Sequence, residues 1–183
     1  MSANKGKRRP YWVGVIILVA IFWAVTIINF LTGYSFLQLA LVPRTFNGLI
    51  GILTAPFLHA GFSHLTANTI SFAVLGALVG LNGRWAFWET TIFIIFVSGA
   101  GLWLVGRPSY HLGASGLVFG YFGYLVMRGL VQKKITALLV AAAVVFAYGG
   151  LIWGILPTSS HVSWEGHLCG FVAGIIAARF EGA

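Results

Sequence analysis

Residues 11–31, YWVGVIILVAIFWAVTIINFL, run for 21 residues without a charged side chain. About 20 mainly apolar residues are what a helix needs to cross the hydrocarbon of a bilayer. Within lipid the backbone must satisfy its own hydrogen bonds, so such a run is read as a spanning helix. It is too long for a signal-peptide core and lacks a small-residue cleavage pattern, so it is expected to be retained. Five further apolar segments follow, at about 64–81, 86–105, 115–127, 135–155 and 166–178. The expected fold class is an all-α polytopic membrane protein with six transmembrane helices. Composition agrees: 59% of residues are hydrophobic and only 8% charged. A typical soluble domain carries about 25% charged residues, so this chain has too few to cover a water-facing surface. A basic tail (residues 1–10), one membrane domain (11–180) and a short tail (181–183) are expected, without repeats or a separate soluble domain.

The net charge is +8, from 11 Lys and Arg against 3 acidic residues, Glu89, Glu165 and Glu181. In a soluble chain this excess would suggest nucleic acid. Here the basic residues sit at the ends of apolar segments and report topology, so no nucleic-acid partner is expected. With six alternating spans, Lys5, Lys7, Arg8, Arg9, Arg84, Arg128, Lys133, Lys134 and Arg179 fall on one side, and only Arg44 and Arg107 on the other. Basic residues favour the cytoplasmic face, which puts both termini inside and the loops at 32–63, 106–114 and 156–165 outside. The expected location is a bacterial plasma membrane. The single Cys169 excludes an internal disulfide and a Cys-rich metal site, and reads as a small buried packing residue. No phosphate-binding Gly-rich loop of the P-loop pattern is present, so no nucleotide is expected; no cofactor or metal is indicated either.

The loop at 32–63 is long yet mostly apolar, and Pro43, Gly48, Gly51 and Pro56 interrupt it. It reads as short helices lying partly in the outer leaflet.

Polar residues inside a membrane are costly, and a cluster of them marks a candidate site. Ser115 precedes Arg128 by 13 residues, and His167 precedes Arg179 by 12. At 1.5 Å per residue both stand about 20 Å above the inner interface. Asn68 lies 16 residues before Arg84, or about 24 Å by the same rise, with His64 one turn higher on the same face. These four side chains can share one layer, about 10 Å below the outer surface of a ~30 Å hydrocarbon. The fourth and sixth segments are too short to span alone, which predicts a water-filled pocket open to the outside.

Both short segments carry small residues four apart: Gly116 and Gly120 on one, Gly166, Gly170 and Gly174 on the other. Such spacing lets two helix backbones approach closely. In "SYHLGASGLVFG", residues 109–120, Ser115 is therefore either one more small packing residue or a nucleophile. A serine hydroxyl needs an adjacent base, and His167 at equal depth can serve as one. The usual third member of a triad is a carboxylate that orients the histidine. No Asp exists, Glu89 lies near the cytoplasmic side, and Glu165 at the helix start is expected to be wet. A Ser-His dyad is therefore expected. Its oxyanion donors would be the Ser115 N–H at a helix N-terminus, with Asn68 and His64 as further candidates.

"GASG" around Ser115, "GHLCG" around His167 and "HAGFSHLTAN" holding His59, His64 and Asn68 together resemble the rhomboid intramembrane serine proteases. The match covers about residues 11–180, including motif order and helix count. The resemblance implies a compact six-helix bundle with a central helix carrying the nucleophile. It implies Ser115 as nucleophile, His167 as general base and acid, and His64, Asn68 and the Ser115 backbone as oxyanion hole. It gives His59 a structural role and places Gly113, Gly116, Phe119, Gly166 and Gly170 beside the site. The implied substrates are single-span membrane proteins of the lipid bilayer, cut near the outer face after local unwinding. Two features depart from the family pattern. Phe119 stands where a tyrosine is common, and Arg44 follows Pro43 where a Trp-Arg pair is common. The loop at 156–165 is expected to act as a mobile cap, with His161 solvated. The alternative reading is a noncatalytic rhomboid-like protein that binds transmembrane segments. A histidine-lined transporter would account for His59, His64 and His167 but leaves Ser115 in "GASG" unexplained.

Overall fold

Long apolar stretches in which the backbone has no water to bond leave the α-helix as the only local solution. The structure, a computed structural model, describes residues 12–157 and 162–181 and is helical almost throughout. Its α-helices are α1 (Trp12–Leu31), the single-turn α2 (Gly51–Thr54), α3 (Phe62–Gly80), α4 (Arg84–Val105), α5 (Ser115–Gln132), α6 (Ile135–Tyr148) and α7 (Trp164–Glu181). A 3-10 turn, Gly149–Ile155, continues α6. Helices α1, α3 and α4, and the stretch Ile135–Ile155, are each long and apolar enough to cross a membrane. With α5 and α7 they make six spans.

Helix α5 is the axis of the bundle. Residues 117–125 are buried without a break, as expected of a helix with protein on every side. It packs on α3, α4, α6 and, most extensively, α7. Phe72, Phe87, Tyr121 and Tyr124 are among the largest side chains of the core around it. The Tyr121 hydroxyl satisfies itself against Thr91 at 2.6 Å. The outer faces carry exposed Ile16, Phe30, Leu104, Leu139 and Phe146. That inversion of a soluble surface is what hydrocarbon demands, and the protein is a multi-pass integral membrane protein.

Helices α5 and α7 are longer than the sequence reading expects. Each has 18 residues rather than 13, about 27 Å at 1.5 Å per residue. The expected ends coincide with Arg128 and Arg179, yet long basic side chains reach the interface from inside a helix. The chain leaves α5 at Lys133, in the left-handed region at φ 52°.

The loop after α1 forms 3-10 turns at Ser35–Leu39, Asn47–Leu49 and Ala55–Phe57, with α2 between the last two. It is bolted to the loop that precedes α5. Leu41 and His111 exchange backbone hydrogen bonds of 3.0 and 2.8 Å, and Gly113 N–H donates to the Ala55 carbonyl at 2.9 Å. Arg44 donates to the carbonyls of Leu104 and Gly106 at the C-terminal end of α4, at 3.1 and 2.8 Å. A cation suits a helix C-terminus. The departure at Arg44 thus has a local role of its own.

Candidate active site

Ser115 opens α5 directly after a turn that only glycine accommodates easily. Gly113 has φ +113°, and a methyl there would lie 2.7 Å from His64 Cε1 and 3.4 Å from Asn68 Nδ2. The backbone before Ser115 therefore runs against the two α3 side chains. Asn68 is buried, and its Nδ2 has no hydrogen-bond partner among the described residues. A buried, unsatisfied donor costs free energy, so this amide is available to an acceptor that arrives from outside the chain.

His59 supports the same turn from behind. The Ala114 N–H donates to His59 Nε2 at 3.4 Å, which makes Nε2 the lone-pair nitrogen. Nδ1 then carries the proton and meets Thr26 Oγ1 at 3.4 Å. His59 is fully buried and its ring stands edge-on to His64, centroids 5.2 Å apart.

On α7, His167 Nδ1 lies 2.9 Å from the carbonyl oxygen of Gly154. A carbonyl can only accept, so Nδ1 carries the proton and Nε2 keeps a lone pair. A carboxylate fixes the tautomer in a triad; here a backbone carbonyl does so. Phe119, one turn after Ser115, stacks flat on His167, with centroids 4.0 Å apart and planes 9° from parallel. A methyl at Gly154 would strike Phe119 Cζ at 2.7 Å and approach His167 Nδ1 at 3.3 Å. Position 154 must therefore be small for its carbonyl to reach the imidazole.

The meeting of α5 and α7 rests on backbone-to-backbone contact. A methyl at Gly170 would overlap the Gly116 carbonyl oxygen, and one at Gly174 would overlap that of Gly120. The other expected glycines act differently. Gly120 turns its open side to Ile94 of α4, at 2.5 Å from a methyl placed there, and Gly166 turns its own to Ser163 Oγ, at 2.7 Å. Gly123, which the spacing argument overlooks, meets the Phe171 carbonyl. Cys169 is half-buried between α4 and α7 rather than fully buried.

His64, Asn68, Ser115, Phe119, Gly154 and His167 line one open cavity of about 580 Å³. A second cavity of about 50 Å³ borders Ser115 and Gly116 on the side of Ser98. It exceeds the ~10–15 Å³ that one water requires. Glu165 is not wet as expected. It is buried, with Oε1 3.6 Å from Arg107 Nε and 3.4 Å from the Arg107 backbone nitrogen. The loop between α4 and α5 covers it. Arg107 also donates to the Val162 carbonyl. Residues 158–161 of the expected cap, His161 among them, lie outside the described residues, while the adjoining Val162 and Ser163 line the larger cavity. Among the described residues no group of three His, Cys, Asp or Glu side chains could hold a metal ion.

Two residues that the sequence reading passes over are joined at this rim. His111 Nδ1 and Ser163 Oγ lie 2.6 Å apart, and His111 Nε2 lies 3.0 Å from the Arg107 carbonyl oxygen.

Comparison with known proteins adds descent to geometry. The family model described as "Rhomboid domain" matches residues 47–182. An uncharacterized protein of Mycobacterium tuberculosis is 40% identical, over 93% of this chain and 77% of its own length. An uncharacterized protein of Mycobacterium leprae is 39% identical over 94% of this chain and 73% of its own length. The Bacillus subtilis protein named "Putative rhomboid protease YdcA" is 30% identical over 68% of this chain and 63% of its own. The family model covers more than half of the chain and agrees with the helical architecture, and the chain belongs to the rhomboid family.

Proposed function

We propose that this rhomboid is an intramembrane serine endopeptidase that cuts single-span membrane proteins with Ser115 and His167. The observation that carries the reading is the fixed His167 tautomer. Its Nδ1–H is held by the Gly154 carbonyl, leaving Nε2 unprotonated on a ring that borders the same cavity as Ser115. A base in that state can take a hydroxyl proton.

In this reading Ser115 Oγ attacks the carbonyl carbon of the scissile peptide as its proton passes to His167 Nε2. The negative charge that develops on the carbonyl oxygen is met by the Ser115 N–H, the unpartnered Asn68 amide and His64. His167 returns the proton to the leaving amine, and an acyl ester remains on Ser115. Water then enters, loses a proton to His167 and releases the acid, restoring Ser115. Both cavities beside Ser115 can admit that water. A peptide bond within a helix is shielded by its own hydrogen bonds, so helix-weakening residues are expected in substrates.

The excess of basic residues on one side supports cytoplasmic termini and a cavity open to the outer face. The bacterial relatives support a bacterial plasma membrane. Ser115→Ala is expected to abolish cleavage of a model single-span protein in liposomes with the melting temperature unchanged. Full cleavage by that variant refutes the reading, and a wild type that binds the substrate but never cleaves it favours a noncatalytic binder.

A further inference from the structure

Among the contacts that join the loop of residues 106–114 to the start of α7 is a side-chain hydrogen bond between His111 and Ser163 that the proposed chemistry does not use. His111 is buried and held on both sides. Its backbone is paired with Leu41, and its Nε2 meets the Arg107 carbonyl at 3.0 Å. Since a carbonyl only accepts, Nε2 bears the proton, and Nδ1 accepts from the Ser163 hydroxyl at 2.6 Å. Ser163 in turn begins the α7 ladder, because its carbonyl accepts the His167 N–H at 3.0 Å. The spacing is the same on both strands of the chain. His111 lies four residues before Ser115, and Ser163 lies four before His167.

We propose that His111 and Ser163 are a positioning pair that fixes where α7 starts relative to α5, and so where His167 stands relative to Ser115. The inference rests on the Ser115–His167 reading above. The Gly170–Gly116 and Gly174–Gly120 contacts set how closely the helices lie, but smooth glycine surfaces resist sliding and rotation poorly. The His111–Ser163 hydrogen bond, four residues before each member of the pair, supplies the missing constraint. Arg107 strengthens it by holding the Val162 carbonyl and Glu165 on either side of Ser163. Misplacing reacting groups by about 1 Å can cost about 100-fold in rate.

The test compares Ser163→Thr with Ser163→Val, which have the same shape and differ by the hydroxyl. His111→Phe and the double variant His111→Phe/Ser163→Val complete the set. Full-length protein in liposomes is assayed for kcat and KM on a model single-span substrate, for the site and rate of fluorophosphonate labelling, and for melting temperature. Ser163→Thr is expected to stay near wild type. Ser163→Val is expected to lose about 10-fold or more in kcat and labelling rate with KM within about 2-fold, and the double variant to be no worse than the poorer single one, as for residues acting as one unit. Equal rates for Thr and Val, losses that multiply in the double variant, or a change confined to KM would each overturn the proposal. The last would make His111 or Ser163 a substrate contact, since both border the cavity. Wild type labelled at Ser163 instead of Ser115 would overturn both readings, making His111 the base of a different dyad. Normal labelling at Ser115 with an insensitive Ser163→Val overturns this inference alone.

Discussion

Replacing Gly170 with alanine tests the contact that brings the two halves of the site together. The added methyl would overlap the Gly116 carbonyl oxygen and lie 3.0 Å from its carbon and 3.1 Å from the Gly116 Cα. Comfortable carbon–carbon contacts are about 3.5–4.0 Å. All three atoms are backbone, so no side chain can swing away, and α5 and α7 must part by roughly 1 Å. Overpacking of this kind costs about 1–3 kcal/mol, and each kcal/mol lowers the melting temperature of a chain this size by about 2–4 °C. The damage to activity should be larger in proportion. Gly116 adjoins Ser115 and Gly170 lies one turn beyond His167, so a shift of that size acts on the pair and can cost about 100-fold in kcat. Thermal unfolding in detergent and cleavage of a single-span substrate read the two effects. Gly101→Ala is the control. Its methyl would sit 3.4 Å from Cys169 Sγ, an ordinary contact, and removing a mid-helix glycine gains about 0.5–1 kcal/mol. If Gly170→Ala matched wild type in stability and rate while Gly101→Ala behaved the same way, the close α5–α7 contact would not be what assembles the site.

Asn68→Ala is expected to lower kcat by about 100- to 1000-fold, the usual consequence of removing one oxyanion donor. The melting temperature should barely move, because Asn68 Nδ2 gives up no hydrogen bond within the described residues; a large loss of stability with normal kcat would contradict this. Phe119→Tyr is expected to destabilise by about 1 kcal/mol or more through overpacking, although tyrosine is common there among rhomboids. The ring tip, Cζ, already points at the space beside Gly154, and a melting temperature at or above wild type would show that the hydroxyl finds room.

Much of this molecule can be read from spacing. Apolar run lengths and the basic residues between them give six spans, and the similar distances to Arg84, Arg128 and Arg179 (16, 13 and 12 residues) predict one layer for Asn68, Ser115 and His167. Those three residues line one cavity. What escapes such counting is backbone. The group that holds His167 is a carbonyl, Gly154, delivered by a 3-10 continuation of α6, and no side-chain pattern announces it. Glu165 looks wet because it starts a helix, yet Arg107, distant in sequence, buries it. Glycine spacing identifies α5 and α7 as partners but not which glycine faces which neighbour. Gly120 serves α4, and Gly123 serves α7. His111 goes unnoticed beside the "GASG" it precedes, because its partner lies 52 residues away.

The central claim is that Ser115 is a nucleophile activated by His167. A fluorophosphonate reacts only with an activated serine hydroxyl, so the most direct measurement is mass spectrometric mapping of the label on the intact protein. The account predicts one adduct per chain, on Ser115, absent from Ser115→Ala and reduced to background in His167→Ala when both variants remain folded. Labelling that persists in His167→Ala, or an adduct on any other serine, would contradict it.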